Sequence, residues 1–404
     1  MITMVQDALV HLSAFVFVLS LVVFVHEFGH FQVARWCGVA IDTFSIGFGR
    51  KLIGWRDRQG VEWKIGALPL GGYVKFIGDA DAASMQAEGG AVDGAAQAEA
   101  RRRGLYHAQN PWVRIAVALA GPMANFIFAI VAFGLLLMVF GRDDTPVAQL
   151  SPRIDQVQAD SAASRAGLKP GDMVVSINDA PIRSFGELQK AISGSANKQF
   201  SLVVKREGDL VALSATPTSR KVMDEAGVER TQGMLGIGRT TLPGERQIKK
   251  FGPIEAIGGG AKQTWRIITS TGAYVANVFS GRASPEHIAG PLGIMDLSGE
   301  VAKVSGQGQT ILDKAGNLAA GLIGWAATLS VAVGIVNLLP VPILDGGHVL
   351  FCLVEALRGK PLDSRTQLIG FRAGLALLGS LFLFATWNDL QRLNVLEFLS
   401  GILS

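Results

Sequence analysis

Charge is what this sequence has least of. Only 17% of its 404 residues are Asp, Glu, Lys or Arg, where soluble globular chains carry about 25%. Hydrophobic residues make up 49%. Together these exclude a disordered chain, which needs few apolar residues and much charge, and they argue against one ordinary soluble domain. Cysteine is nearly absent. Cys37 and Cys352 stand far apart, so no disulfide framework is expected. There is no dense basic run either. The longest is Arg101 to Arg103 and the net charge is only +4, so no nucleic-acid partner is expected. No Lys or Arg precedes Arg35, and the first apolar run lacks a small-residue cleavage site. A retained helix is expected there rather than a signal peptide. Glycine, by contrast, is abundant: 49 residues, against an average of about 7% of a chain. The charge is concentrated in one long middle stretch, which predicts a membrane protein carrying a soluble domain.

Four apolar stretches reach the ~20 residues needed to cross a bilayer: 8–25, 113–140, 318–339 and 369–387. Lys and Arg crowd the connection between the first two, from Arg35 to Arg103, and recur between the last two as Arg358, Lys360 and Arg365. By the positive-inside rule both connections face the cytoplasm, and both termini and the segment 141–315 lie on the other side.

The first connection is more than a loop. Ile41 to Ile77 is rich in β-formers and glycine, and Trp55 to Gly60 reads as a hairpin turn. Leu68 to Val74 is too short to span but could dip into the membrane where protein shields its backbone. Residues 80–100 are rich in Ala, Gly and Gln and read as flexible. Further on, 152–218 reads as a small β-rich domain. Ala166 to Asp172 forms a turn into a strand at 173–178, a short helix suits 185–192, and strands at 200–206 and 210–215 pair across Glu207-Gly208-Asp209. Residues 251–282 have an apolar face and fit either a surface-lying helix or a linker helix. The expected fold is a polytopic α-helical membrane protein of four transmembrane helices, with a membrane-associated β-hairpin region and one small α+β domain. Its expected parts are 1–140, 141–245, 246–315 and 316–404.

At the end of the first span stands His26-Glu27-Phe28-Gly29-His30. On a helix, imidazoles at i and i+4 face the same way and can share one Zn²⁺. Glu27, on the same turn, can take the proton from a water whose pKa zinc lowers to about 7. Chance places such a motif in roughly one chain in a hundred of this size. Context sharpens the signal, because one charge at the centre of a span costs at least ~2.5–3.5 kcal/mol, and three ionisable residues within five need a compensating role. A third ligand is required. His11 lies toward the opposite membrane face; His107 and His287 lie in connections. Asp345 is the best candidate. It sits at the end of the third span in Asn337-Leu-Leu-Pro-Val-Pro-Ile-Leu-Asp345-Gly-Gly-His348, where Pro340 and Pro342 break the helix and Gly346 and Gly347 permit close helix approach. A helix cap is the bland alternative for Asp345, and a satisfied interfacial histidine is the preferred reading of His348.

HExxH in a first transmembrane segment, with NxxPxPxLDGG in a late one, resembles the site-2 protease family of intramembrane zinc metalloproteases, and within it the bacterial regulator-of-sigma-E protease group. Gly47-Phe-Gly49, Pro69 to Val74, Gly121 to Asn125 and Gly290 to Ile294 extend the likeness over nearly the whole chain. The small domain resembles a PDZ domain with Gly167, Leu168, Gly171 and Asp172 as its loop signature. The resemblance implies that His26, His30 and Asp345 hold Zn²⁺, that Glu27 is the catalytic base, and that Asn337 holds substrate near the metal. Better-known members carry two PDZ domains; 141–250 has room and signature for one.

The expected activity is zinc-dependent hydrolysis of peptide bonds in the transmembrane segments of single-pass proteins, in the bacterial inner membrane, with the PDZ-like domain periplasmic and the site toward the cytoplasm. The resemblance suggests an anti-sigma factor, another membrane-anchored regulator or remnant signal peptides as substrate. A transmembrane substrate hides its carbonyls in helical hydrogen bonds and must unwind. Gly71, Gly72, Tyr73 and Val74 could receive it by strand addition, unless 66–78 is only an amphipathic turn. The PDZ-like domain could bind peptide ends or exclude intact substrates. The rival class is a non-enzymatic membrane scaffold or sensor with a structural metal. Glu27 argues against it, because a structural site needs no base and usually closes with four protein ligands.

Overall fold

A computed structural model describes residues 2–78, 94–223, 229–242, 244–285, 288–360 and 362–392. In chain order the first elements are α1 (Ile2–Trp36), β1 (Ile41–Arg56), β2 (Glu62–Phe76), α2 (Gly94–Arg102) and α3 (Pro111–Phe140). Next come β3 (Arg142–Asp143), β4 (Gln156–Val157), α4 (Ala162–Arg165), β5 (Met173–Ile177), β6 (Ala180–Pro181), α5 (Phe185–Ser193), β7 (Phe200–Arg206) and β8 (Asp209–Ala215). After them come β9 (Thr218–Met223), β10 (Glu229–Met234), β11 (Ile237–Gly238) and β12 (Ile248–Lys249). The last are α6 (Pro253–Phe279), α7 (Pro291–Ser305), α8 (Ile311–Asn337), α9 (Asp345–Arg358) and α10 (Ser364–Arg392).

Among the described residues four helices are long and apolar enough to cross a membrane: Val5–Trp36, Pro111–Phe140, Ile311–Asn337 and Arg365–Arg392. They cover the four apolar runs of the sequence, apart from 338–339, and extend four of the eight ends by a turn or more; the third stops at Asn337 because Pro340 and Pro342 cannot continue it. The protein is therefore a helical, multi-pass membrane protein with a β region.

The chain divides into two compact units, Met1–Leu136 with Pro253–Ile268 and Pro285–Ser404, and Leu137–Gly252 with Thr269–Ser284. In the first unit α1 and α3 cross where side chains are smallest. A Cβ on Gly29 would overlap the Ala120 carbonyl and the Ala124 methyl. On the other side of α1, Val18 and Val22 pack with Ala326 and Leu329 of α8 and with Ile294 of α7. β1 and β2 form a long ribbon, its turn set by Asp57, whose Oδ1 accepts from the N–H of Gln59 and Val61, a side-chain turn of the kind Asp favours. The first half of β1 is flanked by both halves of β2. Phe44 stands opposite Val74 and Trp63, and Ile46 opposite Gly72 and Ile65. Phe31, Phe44, Phe76 and Tyr106 form the core beneath it. Leu68 to Val74 is thus strand within the ribbon. Residues 94–102 form α2 where the composition suggests a flexible segment; the rest of that stretch, and His287, lie outside the described residues.

The second unit holds a four-stranded antiparallel sheet in the order β6-β5-β7-β8. β7 and β8 meet through Glu207 and Gly208, both at positive φ, the backbone that tight hairpins demand. Ile154, Leu168, Val174, Leu188, Leu202, Val204 and Leu235 fill its core. Ser184 caps α5 by accepting from the Glu187 N–H. Three two-stranded ladders, β4 with β11, β9 with β10 and β3 with β12, complete the unit.

Candidate active site

His26 and His30 project from one face of α1, as i,i+4 spacing requires, and both are buried. Asp345 reaches them from the first residue of α9. Leu344, not Asp345, is the N-cap of that helix, and no side chain caps it. The sharp reversal between α8 and α9 explains the two glycines that follow. A Cβ on Gly346 would overlap the carbonyls of Leu338 and Leu339, and one on Gly347 the carbonyl of Val341. Sequence reading expected these glycines to admit a neighbouring helix; they admit the chain's own preceding loop. Arg114 of α3 holds α9 in place, pairing with the buried Glu355 at 2.8 Å and donating to the Cys352 sulfur.

Three atoms converge. Nε2 of His26 lies 3.2 Å from Asp345 Oδ2, Nε2 of His30 lies 3.5 Å from the same oxygen, and the two Nε2 atoms are 3.3 Å apart. Donors bound to zinc at ~2.0–2.2 Å in a tetrahedron stand about 3.3–3.6 Å from one another, so the triangle has the size a zinc ion needs. No other group of three or more metal-binding side chains converges among the described residues. His11 lies 15 positions earlier in α1, about 22 Å along the axis, with its ring against Gly299 of α7.

The hydrogen-bond ledger points the same way. Asp172, Asp345, Glu355 and Asp389 are the buried carboxylates of the described residues. Asp172 accepts from Arg206 twice and from the Lys169 N–H. Glu355 pairs with Arg114 and accepts from the Leu362 N–H. Asp389 accepts from the N–H groups of Gly290 and Gly293. Asp345 alone keeps a buried oxygen, Oδ2, with no hydrogen-bond donor. An unsatisfied buried polar atom costs about 1–3 kcal/mol, more when charged. A cation at the centre of the triangle removes that cost.

α3 backs both imidazoles. His30 Nδ1 donates to the Val117 carbonyl at 2.8 Å, leaving Nε2 to face the centre. Asn125, fully buried, holds Nδ1 of His26 at 3.2 Å. A Cβ on Gly121 would overlap His30 Nε2 and crowd His26 Cε1, so only glycine fits there. Sequence reading placed Gly121 and Asn125 only within a family likeness. One signal was available: Asn125 is the sole polar side chain between Arg114 and the end of α3.

The other expected site residues fall as follows. Glu27 is half-buried and follows His26 in α1. Gly72 of β2 packs beside it; a Cβ there would stand 3.0 Å from Glu27 Cγ and 2.7 Å from the Ser45 carbonyl. Gly71 adopts φ +107°, Tyr73 stacks on Phe48, and Val74 packs on the Phe44 core. Among the described residues β2 pairs with no strand but β1. Asn337 is the last residue of α8, at the start of the break that leads to Asp345. In the second unit Gly167 and Gly171 take positive φ. Leu168 points into the core, and Asp172 is tied to Arg206, which also donates to the Gly167 carbonyl. The side chains of Leu168 and Asp172 therefore serve the loop itself.

Comparison with known proteins agrees with this geometry. A family model described as peptidase family M50 matches residues 14–381. A protein of Rhizobium meliloti that bears the name of a zinc metalloprotease is 41% identical over 380 residues, covering 94% of this chain and 96% of its own. Metalloprotease MmpA of Caulobacter vibrioides is 40% identical over 407 residues, covering 98% of each.

Proposed function

The chain belongs to peptidase family M50, the site-2 protease family of zinc metalloproteases, and from that premise we propose that it is an intramembrane endopeptidase cutting the transmembrane segments of single-pass proteins. The observation that carries the proposal is the triangle of His26, His30 and Asp345, with both imidazoles on a helix apolar enough to span a bilayer and Asp345 just past the end of another. These three residues would hold the zinc. When bound, the ion supplies Lewis acidity, polarising a scissile carbonyl and acidifying water. Glu27 is the general base. It accepts the proton of the attacking water and returns it to the leaving amine, a role that requires its place beside the ligands on the same turn. The unpaired side of 72–76 receives the unwound substrate as an added strand, with Gly72 keeping the backbone close to Glu27. Asn337 steadies the substrate by hydrogen bonds.

The finer assignments follow the same reading. The basic connections face the cytoplasm and put the site on that side of a bacterial inner membrane. The likeness to the regulator-of-sigma-E protease group, in a form with one PDZ-like domain, makes an anti-sigma factor or similar regulator the substrate class. The PDZ-like sheet binds peptide ends or screens out intact substrates; deleting 150–218 separates the two, since a filter predicts premature cleavage and a tether predicts loss of it. The decisive experiment is Glu27→Gln. Zinc content should remain at wild-type level while cleavage of a membrane-anchored substrate falls by about 10²–10⁴-fold. Undiminished cleavage in that variant refutes the assignment.

A further inference from the structure

We infer that Asn125 is a positioning residue for the metal site, its side-chain oxygen accepting a hydrogen bond from Nδ1–H of His26 and so turning Nε2 of that imidazole toward the zinc. The inference rests on the reading of His26 as a ligand. A neutral imidazole has one N–H and one lone pair. A ligand uses the lone pair, so if Nε2 faces the ion, Nδ1 carries the proton and needs an acceptor. Among the described residues, the side chain within hydrogen-bond distance of that nitrogen is the Asn125 amide, at 3.2 Å. Only its oxygen can accept.

The amide lies with its nitrogen toward His26, and Oδ1, fully buried, has no partner among the described residues. The two ends of an amide have nearly the same shape, and the hydrogen-bond network decides between them. With Oδ1 set toward His26, it accepts from Nδ1–H and leaves the Nε2 lone pair free to face the ion. The backbone here is already fixed, because the Ser330 hydroxyl of α8 donates to the Asn125 carbonyl at 3.3 Å. Two turns earlier, the Val117 carbonyl does the same service for His30. One face of α3 thus orients both imidazoles, one through a carbonyl and one through a side-chain amide. Gly121, between them, leaves the room that both rings need.

The test uses the full-length protein in detergent, with zinc affinity measured by chelator competition and site geometry by the visible absorption of the Co²⁺-substituted form. Asn125→Leu keeps the volume and removes the acceptor; Asn125→Asp keeps an acceptor and removes the donor. The expected result is a 10–100-fold loss of zinc affinity in Asn125→Leu, a changed Co²⁺ spectrum, and near wild-type behaviour in Asn125→Asp. Wild-type affinity in the Leu variant, or equal loss in both variants, overturns the inference. Asn125→Ala removes the acceptor without crowding α1, and takes the place of the Leu variant if that protein is not recovered folded. His26→Ala tests the underlying reading separately. If it keeps wild-type zinc affinity, the ligand assignment fails; if it loses zinc while Asn125→Leu does not, only the role of Asn125 fails.

Discussion

One buried carboxylate in each unit makes an instructive pair. In the sheet unit, Asp172 is enclosed but fully paired, with two bonds from Arg206 and one from the Lys169 N–H. In the helical unit, Asp345 is enclosed beside two imidazoles with one oxygen left open. Removing either partner of a buried pair is costly, so the Asp172 arrangement is that of a residue that holds a loop closed. An open buried oxygen has no such explanation and persists only if something absent from the chain completes it. The contrast separates structure from chemistry without reference to any relative. It also extends within the helical unit, where Asp389 and Glu355 are satisfied as Asp172 is.

The largest effect that tests the contrast is expected at Asp345. Asp345→Asn should reduce zinc content below about a tenth of wild type and bring proteolysis to background, since three protein ligands become two. The same change should not lower the thermal midpoint of the metal-free protein, because it removes a buried carboxylate whose Oδ2 has no hydrogen-bond donor. A lower midpoint would show that Asp345 serves the fold as Asp172 does. Next is Gly121→Ala. Alanine is the better helix former by about 1 kcal/mol, but its methyl would enter the space of His30 Nε2. Zinc affinity should fall at least about tenfold, a loss on the scale seen when ligand orientation is disturbed, and titration with Zn²⁺ measures it. Unchanged affinity would mean that α3 does not shape the site.

Smaller effects are expected in the sheet unit. Arg206→Leu should leave zinc content unchanged and lower the melting midpoint of that unit by several degrees, on the order of 5 °C, as read by calorimetry. Loss of zinc in that variant would break the contrast from the other side. The smallest effect is in pH. Burial alone would raise the Asp172 carboxyl above its ordinary value of 3.8, but the Arg206 guanidinium and the Lys169 N–H outweigh it and hold the carboxyl lower. A carboxyl depressed in the folded state contributes stability that is fully present above its unfolded value and is lost as pH falls through the folded one. Stability of the sheet unit should therefore decline below pH about 4, and Arg206→Leu should flatten that decline. An acid limb of equal depth in both proteins would remove Asp172 from the account.

Local features are legible in the sequence. The spans follow from runs of apolar residues, the HExxH ligand pair from i,i+4 geometry, the Trp55 to Gly60 turn from its residues, and the strands at 200–206 and 210–215 from alternation. Each depends on neighbours within a few positions. Asp345 was reachable because two prolines and two glycines flank it, although its contact with α1 is long-range. α7 was not anticipated. Its start at Gly290-Pro291 is stabilised by Asp389, 99 positions away along the chain, and no local pattern announces such a partner. α2 was read as flexible for the opposite reason, since an Ala- and Gln-rich stretch is polar enough to read as coil but also helix-prone.

By itself, then, the sequence determined that this is a membrane protein, where its spans lie, and that one of them carries two imidazoles on one helix face. These are properties of composition and short-range spacing, which the backbone imposes wherever the segment sits. Only the tertiary structure decided that α3 backs both imidazoles and that Gly121 is the one residue its place allows. Those are contacts between segments 87 and 99 residues apart. They exist because α1, α3, α8 and α9 pack closely enough that a single methyl, or a single unpaired oxygen, changes what the site can hold.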